Sequence, residues 1–397
     1  MKVLLVTGEY PPMPGGVGDY TKELALAFAR AGAEAHVLTQ EAGTSPMEIP
    51  GIELHVAKGK WGWRNLPHAR KVVEALHPDA VQIQYQAAAY GMHPSIHLLP
   101  RFLKLTTSAG IVSVTYHDLL VPYLFPKAGN LRWAAVLELA KGSDLAVTTN
   151  PEDTRKLTGA LPKARIKEIP IGSNIHPSPP KGYERDSWRL KHGYGENECL
   201  LIYFGFLNES KGGEVLVRAF AGLWEKGRPV KLLMLGGKTG SSDPTNVVYA
   251  HRIEKMIVDL GVEGRVRWTG FLPPEEVSAW MLAADVAVLP YTDGVSYRRG
   301  SFMAALAHGL PIVTTEPRIP QPGLHDGENV VLVPSGDVKA VAEAIERICD
   351  NPALRESLSQ GARALSGEFS WDTIAKKYIE AYETVLKAKK QAEGASP

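Results

Sequence analysis

Short apolar runs rich in β-branched residues, each bounded by glycine, proline or a charge, recur along the whole chain, and the stretches between them carry apolar positions at helical spacing. Runs of this length and composition predict buried parallel strands. In the first half they are Val3–Thr7, Ala35–Thr39, Ile52–Val56, Ala80–Gln84, Ile111–Thr115 and Leu145–Thr148. Tyr20, Leu24, Ala27, Phe28 and Ala31 mark one face of a helix over Tyr20–Arg30 that Gly32 ends, and Leu66–Leu76 reads the same way. Ile169–Pro180 is rich in proline and turn residues and reads as a linker. Beyond it the alternation restarts, with strands at Leu200–Phe204, Val230–Leu235, Val266–Thr269 and Val286–Leu289 and a helix over Gly213–Trp224. Strands alternating with helices predict an α/β protein of two Rossmann-like domains with parallel sheets, facing each other across a cleft.

Pro290–Thr315 carries the sharpest chemical pattern. Its apolar strand is followed by the loop Tyr291–Gly300, then by a helix over Phe302–His308 for which Ser301 is the expected N-cap. Gly309 supplies a left-handed stop and Pro311 opens the next apolar run. The loop thus ends on a helix N-terminus at the carboxyl end of a strand, where open α/β sheets bind ligands and free amides favour an anion. Arg298 and Arg299 add two fixed positive charges there, Gly300 ends the loop beside them, and Asp293 can accept from ligand hydroxyls. The pattern predicts a phosphate beside a polyol; an ordinary turn with solvated arginines is the plainer reading.

Composition narrows the setting. The 397 residues suffice for two domains, 44% hydrophobic and 22% charged residues describe a globular chain, and a formal net charge of +1 calls for neither nucleic acid nor an acidic membrane. The two cysteines, Cys199 and Cys349, fall in a strand and a helix and are expected to be reduced core residues rather than a disulfide or metal site. The first residues, MKVLLVTGEYPP, read as a strand and not a signal peptide, and no apolar stretch is long enough to span a bilayer. The expectation is a cytoplasmic protein, at most peripheral to the inner face of the membrane.

Two loops of the first half qualify as ligand contacts. Gly15 and Gly16 precede a helix and let the backbone approach a phosphate, although Pro11, Pro12 and Pro14 set them too far from the first strand for a dinucleotide fingerprint; Glu41 is the acid an NAD reading would need. His117 and Asp118 directly follow the strand Ile111–Thr115, at its carboxyl end. Trp61 and Trp63, among Lys58, Lys60 and Arg64, form an aromatic–basic cluster suited to an acceptor, a membrane surface or ordinary packing. In the second half, Lys211 lies in a glycine-flanked loop before a helix and is a further phosphate ligand.

In combination these stretches resemble the retaining nucleotide-sugar glycosyltransferases of family 4, which have the GT-B fold. The resemblance runs through Gly15-Gly16-Val17, His117, TTNPEDTRKL, IPIGSN, GFLNESKGGEVLVRAF, VRWTGFLPPEEVSAWMLAADVAVLP, VVLVPSGDVKAVAEAI and FSWDTIAKKYIEAYETVL, in the family's order and over nearly the whole chain. It implies an acceptor-side domain over 1–172 joined by a returning helix over 371–390, a donor-binding domain over 173–370, and a frayed tail over 391–397. It also implies a nucleotide-sugar donor, an acceptor hydroxyl on a glycan, lipid or small molecule, and no cofactor or metal. Lys211, Arg298, Arg299, Gly15, Gly16, Gly300 and Ser301 would hold the donor's phosphates and nucleotide. His117 and Asp293 would act at the sugar, and a leaving-phosphate oxygen would take the acceptor's proton. The alternatives are a GT-B protein that binds sugar or nucleotide without turnover, and another GT-B enzyme such as an epimerase or phosphorylase. Two positions depart from the family: Asp293 and Ser301 stand where it usually has two glutamates, and Phe206 stands where an arginine accompanies the lysine.

Overall fold

The computed structural model describes residues 1–13, 15–41, 45–119, 130–237 and 244–394. They divide into two compact units, Met1–Gly172 with Phe369–Pro397, and Ser173–Glu368.

The first unit runs β1 (Lys2–Thr7), α1 (Gly16–Arg30), β2 (Glu34–Glu41), β3 (Ile52–Lys58), α2 (Asn65–Leu76), β4 (Ala80–Tyr85), α3 (Ser95–Thr106), β5 (Ile111–Tyr116), α4 (Asn130–Gly142), β6 (Leu145–Thr148), α5 (Pro151–Ala160) and β7 (Ile166–Glu168). Its seven strands pair in parallel in the order β3-β2-β1-β4-β5-β6-β7, so the winding reverses between β1 and β4. Both faces are covered, which is why its central strands are apolar on consecutive residues rather than alternately. Leu4, Val6, Ile83 and Val114 face the layer that includes residues of α2, α3 and α4, and Val3, Leu5 and Val37 face α1.

The second unit runs α6 (Arg185–Lys191), β8 (Cys199–Phe204), α7 (Gly213–Glu225), β9 (Val230–Leu235), α8 (Pro244–Asp259), β10 (Val266–Trp268), α9 (Pro274–Ala283), β11 (Val286–Leu289), α10 (Gly300–Ala307), β12 (Ile312–Thr315), β13 (Val331–Val333), α11 (Val338–Asp350) and α12 (Pro352–Ser366). Its parallel sheet has the order β10-β9-β8-β11-β12-β13, reversing between β8 and β11.

The last helix, α13 (Trp371–Gly394), belongs to the first unit. Its buried Tyr378 and Tyr382 carry hydroxyls into the apolar layer beside α1, and each finds a partner, as buried hydroxyls must. Tyr378 Oη lies 3.0 Å from Tyr20 Oη and 2.7 Å from Thr115 Oγ1; Gln82 donates to Thr115 at 2.8 Å and accepts from Tyr382 at 2.7 Å. α13 extends past residue 390, and Lys389 near its end donates to the Gly110 carbonyl at 2.8 Å.

Three local expectations are corrected. α1 starts at Gly16, a turn earlier than its apolar face suggests. α10 starts at Gly300 with Arg299 at the cap position, so Ser301 is inside the first turn and is not the cap. Cys199 and Cys349 are joined in a disulfide with their Cα atoms 6.1 Å apart, although 150 residues separate them. That distance suits a bridge, and only the return of α11 to the amino end of β8 creates it.

Candidate active site

Each sheet offers ligands the carboxyl ends of its strands at the point where the winding reverses. In the second sheet those ends belong to β8 and β11. Gly205 closes β8 at φ +103, a conformation that glycine adopts without strain. Gly212, at φ +68, has no room for a Cβ because the Pro290 carbonyl fills that space, and the Thr292 amide donates to the Ser210 carbonyl at 3.0 Å. The short helical turn Glu209–Lys211 is therefore laid across the end of β11.

Lys211 is half-buried here. Burial first, and the Arg299 charge second, bring its ammonium down to about 8. Arg299 is anchored on several sides: it pairs with Asp293, donates to Ser210 Oγ at 3.3 Å, and sits 4.8 Å from the centroid of the Tyr291 ring. Tyr291 Oη in turn meets Ser301 Oγ at 2.7 Å. Lys211, Asp293, Arg299, Gly300 and Ser301 thus share one end of the second sheet, whereas Arg298 is exposed. Asp293 is the counter-ion of Arg299, and the Ser301 hydroxyl is hydrogen-bonded with Tyr291 Oη. Phe206 places an apolar ring, 39% exposed, edge-on to the 77% exposed Phe271 at 5.8 Å. Sequence reading missed Ser210 and Tyr291, whose small hydroxyl and buried ring carry no pattern of their own.

In the first sheet the reversal falls between β1 and β4. Gly15 precedes α1 in extended backbone, and the space its Cβ would need is filled by the Glu9 carboxylate. The missing side chain at Gly15 is thus explained by Glu9, whereas Gly16 has open space where a Cβ would stand. Burial first, and Asp19 second, push the Glu9 carboxyl up, and its Oε2 is buried without a hydrogen-bond partner. Glu9 was not legible as a site residue, because one acid after a strand has no signature.

His117 follows β5. Its amide donates to the Tyr85 carbonyl at 3.0 Å, its ring meets Tyr20 edge-on at 4.6 Å, and Nε2 lies 2.9 Å from Gln84 Oε1. Burial lowers it to about 3, so the imidazole is neutral. With Gln84 Oε1 accepting, the proton sits on Nε2 and Nδ1 keeps its lone pair. Asp118 accepts from Gln86 Nε2 at 3.0 Å. The aromatic–basic cluster divides: Trp61 is core, edge-on to Tyr90 at 4.9 Å, while Trp63 is 54% exposed beside His93.

Two parallel α/β sheets, with charged residues beyond the carboxyl end of the second, are the parts from which the GT-B class is built. The Glycosyl transferase 4-like domain matches residues 15–172, and Glycosyl transferases group 1 matches residues 184–365. The chain belongs to the GT-B glycosyltransferases of the family 4 type. A D-inositol 3-phosphate glycosyltransferase of Corynebacterium diphtheriae is 29% identical over 255 residues, a match that covers 62% of this chain and 57% of that protein. The enzyme of that name from Xylanimonas cellulosilytica is 26% identical over 94% of this chain and 92% of its own. The fold is shared with sucrose-phosphate synthase from Thermosynechococcus elongatus (TM-score 0.72, 22% identity, 98% of this chain and 99% of that one). It is also shared with Anabaena HepE, solved in complex with UDP (TM-score 0.73, 19% identity, 97% and 100%).

Proposed function

We propose that the protein is a retaining glycosyltransferase that moves a sugar from a nucleoside-diphosphate sugar to an acceptor hydroxyl without a metal ion. The observation that carries this reading is the Lys211–Arg299 pair of cations at the winding reversal of the second sheet. Burial first, and the neighbouring Arg299 charge second, depress the Lys211 ammonium, and a diphosphate would offset both cationic charges. As the bond from anomeric carbon to phosphate oxygen breaks, charge grows on the leaving diphosphate, and fixed cations stabilise it more than the ground state. The acceptor oxygen bonds to the anomeric carbon on the face the phosphate leaves, and its proton passes to a leaving-phosphate oxygen. No side-chain nucleophile is needed.

In this reading His117 is a neutral hydrogen-bonding group, its Nδ1 accepting from a sugar hydroxyl. Glu9 suits a second hydroxyl, and the Gly16 backbone a phosphate. Arg299 takes the charge that Phe206 does not supply, with Asp293 fixing the guanidinium. The exposed ring of Phe206 or Phe271 offers an apolar face to a nucleobase. The names of the relatives make an inositol phosphate the first acceptor to try, and the UDP bound by HepE makes UDP-sugars the first donors. No helix among the described residues is long and apolar enough to cross a membrane. The proposed setting is the cytoplasm, with any contact at the inner membrane face confined to the exposed Trp63, Lys60 and Arg64, although the disulfide removes the cysteine argument for a reducing compartment.

The test is a melting screen against UDP-, GDP- and ADP-sugars and their nucleoside diphosphates, with product followed in the same wells. A ligand at 100 times its Kd adds about 2.7 kcal/mol to stability. A shift with one nucleotide, and sugar release or transfer from it, supports the proposal. No shift with any of them overturns it.

A further inference from the structure

The opposite end of the first sheet carries a cluster that sugar transfer does not use. Glu34 and His36 lie at the amino end of β2, and Glu53 and His55 at the amino end of the neighbouring edge strand β3. The register pairs His36 with Glu53, and the two-residue repeat of a strand puts Glu34 and His55 on the same face as that pair. His36 Nδ1 is 3.3 Å from His55 Nε2 and 3.4 Å from Glu53 Oε2, and Glu53 Oε1 is 3.8 Å from His55 Nε2. Two ligand atoms each ~2.0–2.1 Å from one tetrahedral ion are ~3.3–3.4 Å apart. The His36 separations match that spacing.

We infer that His36 Nδ1, His55 Nε2 and the Glu53 carboxylate form a site for a divalent transition-metal ion of the zinc class. Two further observations fit such a site. Glu34 Oε1 lies 3.0 Å from the other ring nitrogen of His36, Nε2, and holds its proton there, leaving Nδ1 unprotonated and aimed at the cluster. An outer carboxylate on a metal-binding histidine has this role. Glu53 is largely exposed, yet its ion pairs among the described residues are with these two imidazoles alone.

Two imidazoles and one carboxylate suit zinc, cobalt or nickel and not calcium or magnesium, which take oxygen ligands. Lys2, 3.2 Å from Glu34, offsets part of the negative charge. Without an ion the plain alternative is a His55–His36 hydrogen bond flanked by two surface acids. The ion would tie the edge strand β3 to β2, away from the carboxyl ends where His117 and Glu9 lie.

The full-length protein, stripped with a chelator, is titrated with Co(II) and then Zn(II). The expected result is tight Co(II) binding with the visible absorption of a low-coordinate site, displaced by Zn(II), and a melting temperature raised by Zn(II). Glu53→Ala, at an exposed position, and His55→Ala, at a half-buried one, are expected to lower Co(II) affinity by more than the ~10–100-fold typical of an outer-shell change and to lose the Zn(II) melting shift. Co(II) affinity and absorption unchanged in both variants, with normal circular dichroism, would overturn the inference. So would a wild-type protein that takes up no Co(II).

Discussion

Lys211 Nζ lies 3.0 Å from the point that a β-carbon on Gly205 would occupy. The glycine serves two ends at once: it turns the chain at φ +103 as β8 finishes, and it leaves the ammonium room at the strand end. Gly205→Ala is therefore expected to cost about 1–3 kcal/mol of stability from backbone strain and also to weaken nucleoside-diphosphate binding by displacing Lys211. Lys211→Met removes a charge-assisted contact of ~1.5–3 kcal/mol, or roughly a 10- to 150-fold rise in Kd. Calorimetric titration with the responding nucleoside diphosphate checks both; an unchanged Kd in Lys211→Met removes the lysine from the site.

Arg299 and Arg298 are neighbours in sequence and differ in anchoring. Arg299 is held by Asp293, Ser210 and the Tyr291 ring, whereas Arg298 is exposed. Arg299→Ala is expected to weaken diphosphate binding by ~10-fold or more, the loss of a charge-assisted bond, and Arg298→Ala by less than ~2-fold, as for an exposed charge. Equal losses in both variants would show that anchoring does not select the ligand.

The depressed ammonium of Lys211 sets a pH dependence. Its folded-state pKa, about 8, lies below the value of an unfolded lysine. Between the two the unfolded chain binds more protons, so this group's contribution to stability rises with pH across that window and is unfavourable below it. Diphosphate binding needs the ammonium, so affinity is expected to fall up to ~10-fold per pH unit above about pH 8, while Arg299 stays charged throughout. Titrations from neutral to alkaline pH check this, and a flat Kd contradicts it.

The strands were legible because a sheet buried on both faces must be apolar on consecutive residues; Leu145–Thr148, Val230–Leu235 and Val286–Leu289 fall where their composition puts them. The glycine-flanked Lys211 and the arginines before α10 were legible as charges at strand ends. What could not be read was their pairing. Nothing local to Asp293 says that Arg299 engages it, nor to Ser301 that Tyr291 takes its hydroxyl, because those contacts depend on loop backbone. Glu9, His36 and His55 are hidden for the same reason: each is one polar residue in or after a strand until the register aligns it with another.

The disulfide is the clearest long-range case, closing a loop of 150 residues. Cross-links of this kind stabilise mainly by restricting the unfolded chain, typically by ~2–4 kcal/mol. Cys349→Ser is expected to lower stability by about that amount, and a reductant should lower the melting temperature of the wild type but not of the variant. Equal melting curves for wild type with and without reductant would show that the bridge contributes nothing.

His117 gives the most direct check on the first unit. Gln84 and Tyr20 fix its ring, and burial holds it at about 3, so it is neutral at any working pH. Its folded pKa lies below the ordinary histidine value. The unfolded chain therefore binds the extra proton first, and stability falls as pH drops from about 6.5 toward 3. His117→Ala is expected to flatten that acid loss. If the side chain only accepts a sugar hydroxyl, the variant loses about one hydrogen bond, ~10-fold in kcat/KM, with the Kd for nucleoside diphosphate unchanged. The pH–rate profile of the wild type should show no inflection from this residue between pH 5 and 7. A histidine resonance that titrates near neutrality and disappears in His117→Ala would instead make the imidazole an acid–base group, and the neutral role assigned to it would be wrong.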